Sequence, residues 1–310
     1  MRIVIALGGN ALLRRGERPD AAVQVAHLAA AAPALAKAAE DNEVVIVHGN
    51  GPQVGLLALE SFADTSLSKP YPLSDLVAET QGVIGYWVQQ ALANAGLSRG
   101  AVTLVTQTVV DAHDPAFIVP TKYVGTGYPE ERARQLALSS GWSVQQDGAE
   151  WRRVVPSPAP QRVLELDAAE LLLQNGVTVI LAGGGGVPVI EGPTGLTGVE
   201  AVVDKDATAA LIAIELRADL LVMLTDVRAV YLDYGTPTQR PLGQVDPETL
   251  ASLRFPAGSM APKINAARHF VETTQARAAI GSLDDTTAVI SGTAGTQVQV
   301  SSRSGREVQG

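Results

Sequence analysis

The chain contains no cysteine, which excludes disulfides and thiolate metal centres. Positive charge is also scarce. There are 23 basic against 32 acidic residues, a formal balance of −9, and no basic run offsets it. That composition speaks against a nucleic-acid partner. Long apolar runs are missing as well. The N-terminal run RIVIAL is too short for a signal-peptide core and breaks at Gly8-Gly9. Nothing in the sequence approaches the roughly 18 apolar residues of a membrane span, so no membrane partner is expected and a cytoplasmic location is. Catalytic signatures are lacking too: there is no GxSxG and no GxxxxGK[ST]. The four histidines, His27, His48, His113 and His269, show no metal spacing.

What remains is a chain of 310 residues, 46% hydrophobic and 18% charged, which is long enough for about two domains and too apolar for disorder. Short aliphatic runs alternate with helical patterns, the rhythm of an α/β protein with a parallel sheet and crossover helices. Strands are expected at Arg2–Leu7, Glu43–Val47, Val102–Thr106, Val177–Leu181, Leu220–Leu224, Ala229–Leu232 and Ala278–Gly281. An Ala-rich helix is expected from Asp20 to Glu40, interrupted or bent near Pro33. Another should start at Gly51-Pro52. A third, capped by Asp75, should run to about Ala95 and stop at Gly96, and a fourth should cover Asp204 to Leu216.

Three loops stand out: IALGGNA (Ile5–Ala11), VHGNGPQVG (Val47–Gly55) and LAGGGGVPV (Leu181–Val189). Each follows an aliphatic run and reads as a strand handing over to a helix. Glycines there let backbone N–H groups approach an anion, and a following helix adds unpaired donors and a positive dipole end. Together with isolated lysines downstream, the three loops point to an enzyme that handles phosphate. The GGGG run of the third loop lacks a lysine, which excludes a Walker-type ATPase. Residues 111–160, rich in Pro, Gly and polar side chains, break the rhythm and read as an inserted lobe or lid. A domain boundary is expected near Gly192–Gly198, and residues 301–310 form a polar tail.

An acidic protein that binds an anion must concentrate positive charge locally, and only five lysines are available. Lys205, in VVDKDATAA, is either a solvated member of a helix-capping cluster or a phosphate ligand oriented by Asp206. Lys263, in AGSMAPKINAA, follows a potential Ser259 cap and opposes the helix dipole, which costs slightly unless an anion is near. Lys122, in VPTKYVGTGY, is a surface lysine or a group carried by the lobe. Asn10 and Asn50 either stabilise turns or present amides at strand ends where a substrate would lie. His48 reads as packing or hydrogen-bonding beneath its loop.

At this point the chain resembles the carbamate kinases, within the wider amino acid kinase family. IALGGNAL, VHGNGPQVG, TQGVIGYW, PTKYVG, WRRVVPSP, GGGGVPV, GVEAVVDKD, LTDVRAVYLDYGTP and GSMAPKINAA follow that family's motifs in its order, over about Arg2 to Val300. The resemblance implies an open, mostly parallel eight-stranded sheet sandwiched by helices, usually in a homodimer, with a small inserted lid. Residues 1–195, including the lobe, would hold carbamate or carbamoyl phosphate, and residues 196–300 ADP or ATP with Mg2+. Gly8, Gly9, Asn10, Gly49, Asn50 and Gly51 would line the carbamoyl phosphate pocket. Lys122, Lys205 and Lys263 would neutralise the transferring phosphoryl group, and Asp206 would organise the lysines. Thr225, Asp226, Tyr231, Met260 and Lys263 would meet the nucleotide. No protein metal ligand is implied. Acetylglutamate-kinase-like relatives carry a lysine just before the first glycine pair, where this chain has Ala6. Lys122 is the candidate to replace that charge. The early lysine's absence and the PTK insertion disfavour an acetylglutamate or aspartate kinase, and the intact lysines disfavour an inactive sensor.

Overall fold

The computed structural model describes residues 1–13, 16–255 and 260–301. Its centre is an eight-stranded sheet. From edge to edge the strands are Gln244–Val245, Thr296–Val298, Arg277–Ser282, Leu220–Thr225, Arg2–Leu7, Glu43–His48, Thr178–Ile180 and Ala101–Thr103. Every neighbouring pair is parallel except Arg277–Ser282 with Thr296–Val298. The mostly parallel α/β architecture expected from the sequence is therefore present.

The alternation of side chains along each strand explains why these runs are apolar throughout. Val4, Ala6, Val45, Val47, Leu221 and Met223 face one core, under helices Leu166–Gln174, Lys205–Glu215 and Met260–Thr274. Ile3, Ile5, Leu7, Ile46, Val222 and Leu224 face the other, under helices Ala21–Glu40, Leu73–Asn94 and Thr286–Ser291. Ala6, central in the sheet and paired with Val47 and Met223, lies wholly inside the first core.

Several elements differ from expectation for identifiable reasons. The strand expected over Val102–Thr106 ends at Thr103, and a separate strand begins at Gln107. Ala101–Thr103 stays in the main sheet, while Gln107–Val110 joins a second, four-stranded sheet with Pro160–Val163, Val187–Gly192 and Gly195–Gly198. Gln81 holds the crossing point: its Oε1 accepts from the Thr106 N–H at 2.8 Å and its Nε2 donates to the Thr106 carbonyl at 3.0 Å. The Gly192–Gly198 stretch closes an antiparallel hairpin in that second sheet. Only Tyr231–Leu232 of the expected Ala229–Leu232 strand is extended, in a two-stranded ribbon with Arg240–Pro241.

Asp75 does not cap its helix. The helix begins at Leu73 with Pro72 at the N-cap, and the Leu73 N–H is taken by Glu200 Oε1 at 2.9 Å. Asp75 instead sits in the first turn, where a carboxylate suits the dipole. Pro33 does not interrupt its helix, which runs unbroken over 20 residues. Both Pro33 and Ala29, whose carbonyl loses its partner, are exposed to water. By length and composition this helix would suffice to cross a membrane, contrary to expectation. Here Leu28, Ala31, Ala32, Leu35, Ala36 and Ala39 are packed into the second core.

The insertion forms its own small lobe. Strands Lys122–Tyr128, Glu150–Val155 and Ser143–Asp147 pair antiparallel, with helix Glu130–Ser140 beside them. The lobe rests on helix Gly51–Ala63, and Val124 and Val155 enter a third apolar cluster with Val54, Ala58 and Val77.

Candidate active site

Strands Arg2–Leu7, Glu43–His48 and Leu220–Thr225 lie side by side in the sheet, so their carboxyl ends open at one edge, where ligands bind in open α/β sheets. The Gly8 N–H donates to the Leu224 carbonyl at 2.8 Å and the Gly49 N–H to the Leu7 carbonyl at 3.1 Å, which draws the first two glycine loops together. A Cβ on Gly49 would lie 3.2 Å from the Gly9 nitrogen and 3.3 Å from Lys205 Cε. Gly8, Gly9, Gly49 and Lys205 therefore meet. No described atom comes within 4 Å of a Cβ placed on Gly9 or Gly51, so space remains above their backbone. Asn10 contributes its backbone to the short helix Gly9–Leu12, and its side chain lies outside the described residues. Asn50 is buried, and its Nδ2 donates to Thr80 Oγ1 at 2.9 Å.

Helix Lys205–Glu215 starts at this edge. Asp204 caps it, its Oδ1 accepting from the N–H groups of Asp206 and Ala207. The capping reading thus holds for Asp204, while Lys205 itself is far from solvated. Lys205, Asp206 and Lys263 are 8%, 3% and 5% exposed, a depth at which lysine and aspartate are found only when paired. Asp206 Oδ1 receives Lys205 Nζ at 2.5 Å and Oδ2 receives Lys263 Nζ at 3.0 Å. Lys122, reaching in from the lobe, pairs with Asp204 Oδ2. The Ser259 cap expected before Lys263 lies outside the described residues.

Counting these groups gives three ammonium ions against two carboxylates, an excess of one positive charge in a largely buried place. An unbalanced buried charge is costly unless a counterion shares the site. Burial is the main influence on Lys205. With Lys263 nearby it outweighs Asp206 and lowers the amine to about 8. Burial opposes ionisation of Asp206, but Lys205 and Lys263 overcome it and hold the carboxyl below its ordinary range. At Asp204 burial is likewise overcome by Lys122 and Lys205, and the carboxyl stays ionised well below the usual range. Neither carboxylate has an oxygen clear of its cations and capping N–H groups. Among the described residues no three His, Asp or Glu side chains group as a cation site.

The third glycine loop does not hand over to a helix. Gly183–Gly185 makes a single tight turn and the chain continues as strand Val187–Gly192. Its glycines serve close packing. A Cβ on Gly183 would fall 2.3 Å from His48 Nε2, one on Gly184 2.2 Å from Asn50 Nδ2, and one on Gly185 2.5 Å from the Val203 carbonyl oxygen. The Gly185 carbonyl accepts from the hydroxyls of Thr108 and Thr208. Beneath it His48 is fully buried, donating from Nδ1 to the Gly49 carbonyl at 3.0 Å. Burial lowers its imidazole to about 4, so it is neutral at physiological pH.

The nucleotide candidates are less tightly grouped. Thr225 is buried beside Gly8 and donates to Asp226 Oδ1 at 3.0 Å. Met260 opens the helix that carries Lys263 and packs against the first core. Tyr231, 6.0 Å from Tyr234 between ring centres, lines a cavity of about 590 Å³ with Arg228, Leu242 and Asp285, whose walls include none of the cluster lysines. A second cavity, about 660 Å³, lies at the opposite end of the strands beside Arg2, Glu43 and Asp219, and touches none of the candidate residues. Sequence reasoning missed Asp204 as the partner of Lys122, and Thr80 as the partner of Asn50. No local signal could have joined residues 82 or 30 positions apart.

The profile of the amino acid kinase family matches residues 1–282. The chain is 49% identical over 300 residues to a carbamate kinase of Haemophilus influenzae, covering 96% of each chain. It is 45% identical over 298 residues to one from Escherichia coli K12, covering 96% of this chain and 99% of that one. Among solved structures, a carbamate kinase from Giardia lamblia bound to citric acid superposes with a TM-score of 0.91 at 37% identity, over 96% of this chain and 98% of the other. This chain belongs to the amino acid kinase family.

Proposed function

We propose that this phosphotransferase is a carbamate kinase, moving a phosphoryl group reversibly between ATP and carbamate: carbamoyl phosphate and ADP give ATP and carbamate. The observation that carries the reading is the pair of buried lysines, Lys205 and Lys263, held on the two oxygens of one aspartate beside the Gly8, Gly9 and Gly49 backbone. The relatives named above as carbamate kinases match over nearly the full length and support it.

Phosphoryl transfer needs alignment of donor and acceptor and fixed positive charge around the equatorial oxygens. In this reading Gly8, Gly9, Asn10, Gly49, Asn50 and Gly51 hold carbamoyl phosphate by backbone and amide donors. Lys122, Lys205 and Lys263 take the charge of the moving group, and Asp206 keeps two of those ammonium groups aimed. Thr225, Asp226, Tyr231 and Met260 meet the nucleotide together with Lys263. Carbamate is already an anion, so its oxygen attacks the γ-phosphate without a general base. Mg2+ belongs to the nucleotide here, held by phosphate oxygens and water, because the carboxylates of the cluster are taken by lysines.

The division of labour follows the chain. Residues 1–195, with the lobe 111–160, bind carbamate or carbamoyl phosphate, and residues 196–300 bind ADP or ATP. A homodimer in the cytoplasm, making ATP in arginine and carbamoyl phosphate catabolism, completes the reading. The test is ATP formation by the purified protein from carbamoyl phosphate and MgADP, read through a coupled enzyme. Sustained ATP formation is expected. No ATP above the uncatalysed background would overturn the proposal.

A further inference from the structure

Helix Gly51–Ala63 meets the lobe through bare backbone. A Cβ on Gly55 would lie 2.0 Å from Gly125 Cα and 2.4 Å from Gly125 N. Those are main-chain atoms that cannot swing aside, so any side chain at Gly55 must push the two elements apart. Gly125 has φ +72°, a left-handed conformation that favours glycine. It also stands where the pairing between Lys122–Tyr128 and Glu150–Val155 loses register. The Gly125 carbonyl is pinned by Arg152 Nη2 at 2.9 Å. At the far end of the same helix Phe62 packs on Trp142 of the lobe, with ring centres 6.3 Å apart.

Lys122 is three residues before Gly125 in the same strand, and it ends on Asp204, the cap of the helix that carries Lys205 and Asp206. A displacement at Gly125 therefore passes along the strand to the Lys122 ammonium. We propose that the Gly55–Gly125 contact is the seat of the lobe, and that these two glycines are positioning residues that set where Lys122 stands in the phosphoryl-transfer site. This inference rests on the carbamate kinase reading for the role of Lys122. The seat itself does not depend on the substrate.

The experiment compares Gly55→Ala, Lys122→Ala and the double variant in the full chain. Gly82→Ala serves as control, an exposed helix glycine with no atom near its Cβ position. Turnover and KM for ADP are measured in the ATP-forming assay, and tryptophan emission is recorded in a Trp87→Phe background, where only Trp142 and Trp151 of the lobe remain. Gly55→Ala is expected to lower kcat by about 10-fold or more, the effect of an ångström-scale misplacement, with KM for ADP held within about twofold and a changed tryptophan spectrum. The double variant should be no slower than Lys122→Ala alone, since both act through one group. Gly82→Ala should match the unmodified protein. Should Gly55→Ala not fold, Gly125→Ala replaces it: a Cβ there makes only a 3.4 Å contact with Gly55 Cα and disturbs the seat through the left-handed backbone at φ +72° instead. Unchanged kcat and spectrum in a folded seat variant, or losses that multiply in the double variant, would overturn the proposal. If the unmodified protein forms no ATP, the functional reading falls, and the tryptophan spectrum still decides the seat.

Discussion

Lys205 carries a conflict that pH should expose. Burial, reinforced by Lys263, lowers its amine to about 8 even though Asp206 and Asp204 favour the charged form. In the unfolded chain a lysine titrates near 10.4. Between these values the unfolded state holds a proton that the folded state has lost, so this group makes folding stability rise with pH across that window. In the proposed function its deprotonation would also remove a phosphate ligand. The expected result is that kcat/KM for carbamoyl phosphate falls above about pH 8, while kcat, measured with the anion bound, holds to higher pH. Coincident limbs in the two profiles would count against Lys205 as the phosphate ligand. Asp206 is the second residue to test. Asp206→Asn strips the shared carboxylate from two buried ammonium groups, and breaking a buried pair costs on the order of 3–5 kcal/mol. Turnover per folded molecule should fall much further than ADP affinity, as read by kinetics beside calorimetry. Helix capping does not confuse the result, because Asp204 makes the cap.

Among the elements, the glycine loops divide by what their glycines do. Gly184 has φ +67°, and its missing Cβ leaves room for the Asn50 amide. Gly184→Ala should cost about 1–3 kcal/mol in backbone strain alone and push Asn50 off Thr80, lowering the denaturation midpoint and turnover together. Gly51 has no described neighbour within 4 Å of a Cβ. If Gly51 lines the substrate pocket as proposed, Gly51→Ala should leave the midpoint unchanged and impair turnover; equal loss of both would say otherwise. The central strands and the Lys205–Glu215 helix were legible in the sequence because aliphatic runs and caps are local signals. The branching of Ala101–Thr103 from Gln107–Val110 was hidden, since Gln81, some 25 residues away, directs it. The GGGG run misled for a related reason. Glycine that admits a neighbour's side chain and glycine that admits a phosphate read alike in a sequence.

For the molecule as a whole, the continuous sheet brings residues from distant parts of the chain to one edge. Lys205 and Lys263 come from two helices on the first core, and Lys122 comes from the lobe seated on helix Gly51–Ala63. Of this assembly the sequence showed the lysines and their settings, and the resemblance supplied their common purpose. The pairing of Lys122 with Asp204 emerged only in three dimensions. Ala6 lies in the apolar core and brings no charge to this edge, whereas the lobe brings Lys122 onto Asp204. The measurement that bears most directly on the shared role of these groups is the rate of ATP formation from carbamoyl phosphate and ADP by Lys205→Ala, with ADP binding followed by calorimetry on the same sample. The account predicts a fall in turnover of roughly 10²-fold or more, as for other preorganised charge donors, with ADP affinity changed far less. Near-normal turnover in the folded variant would contradict it.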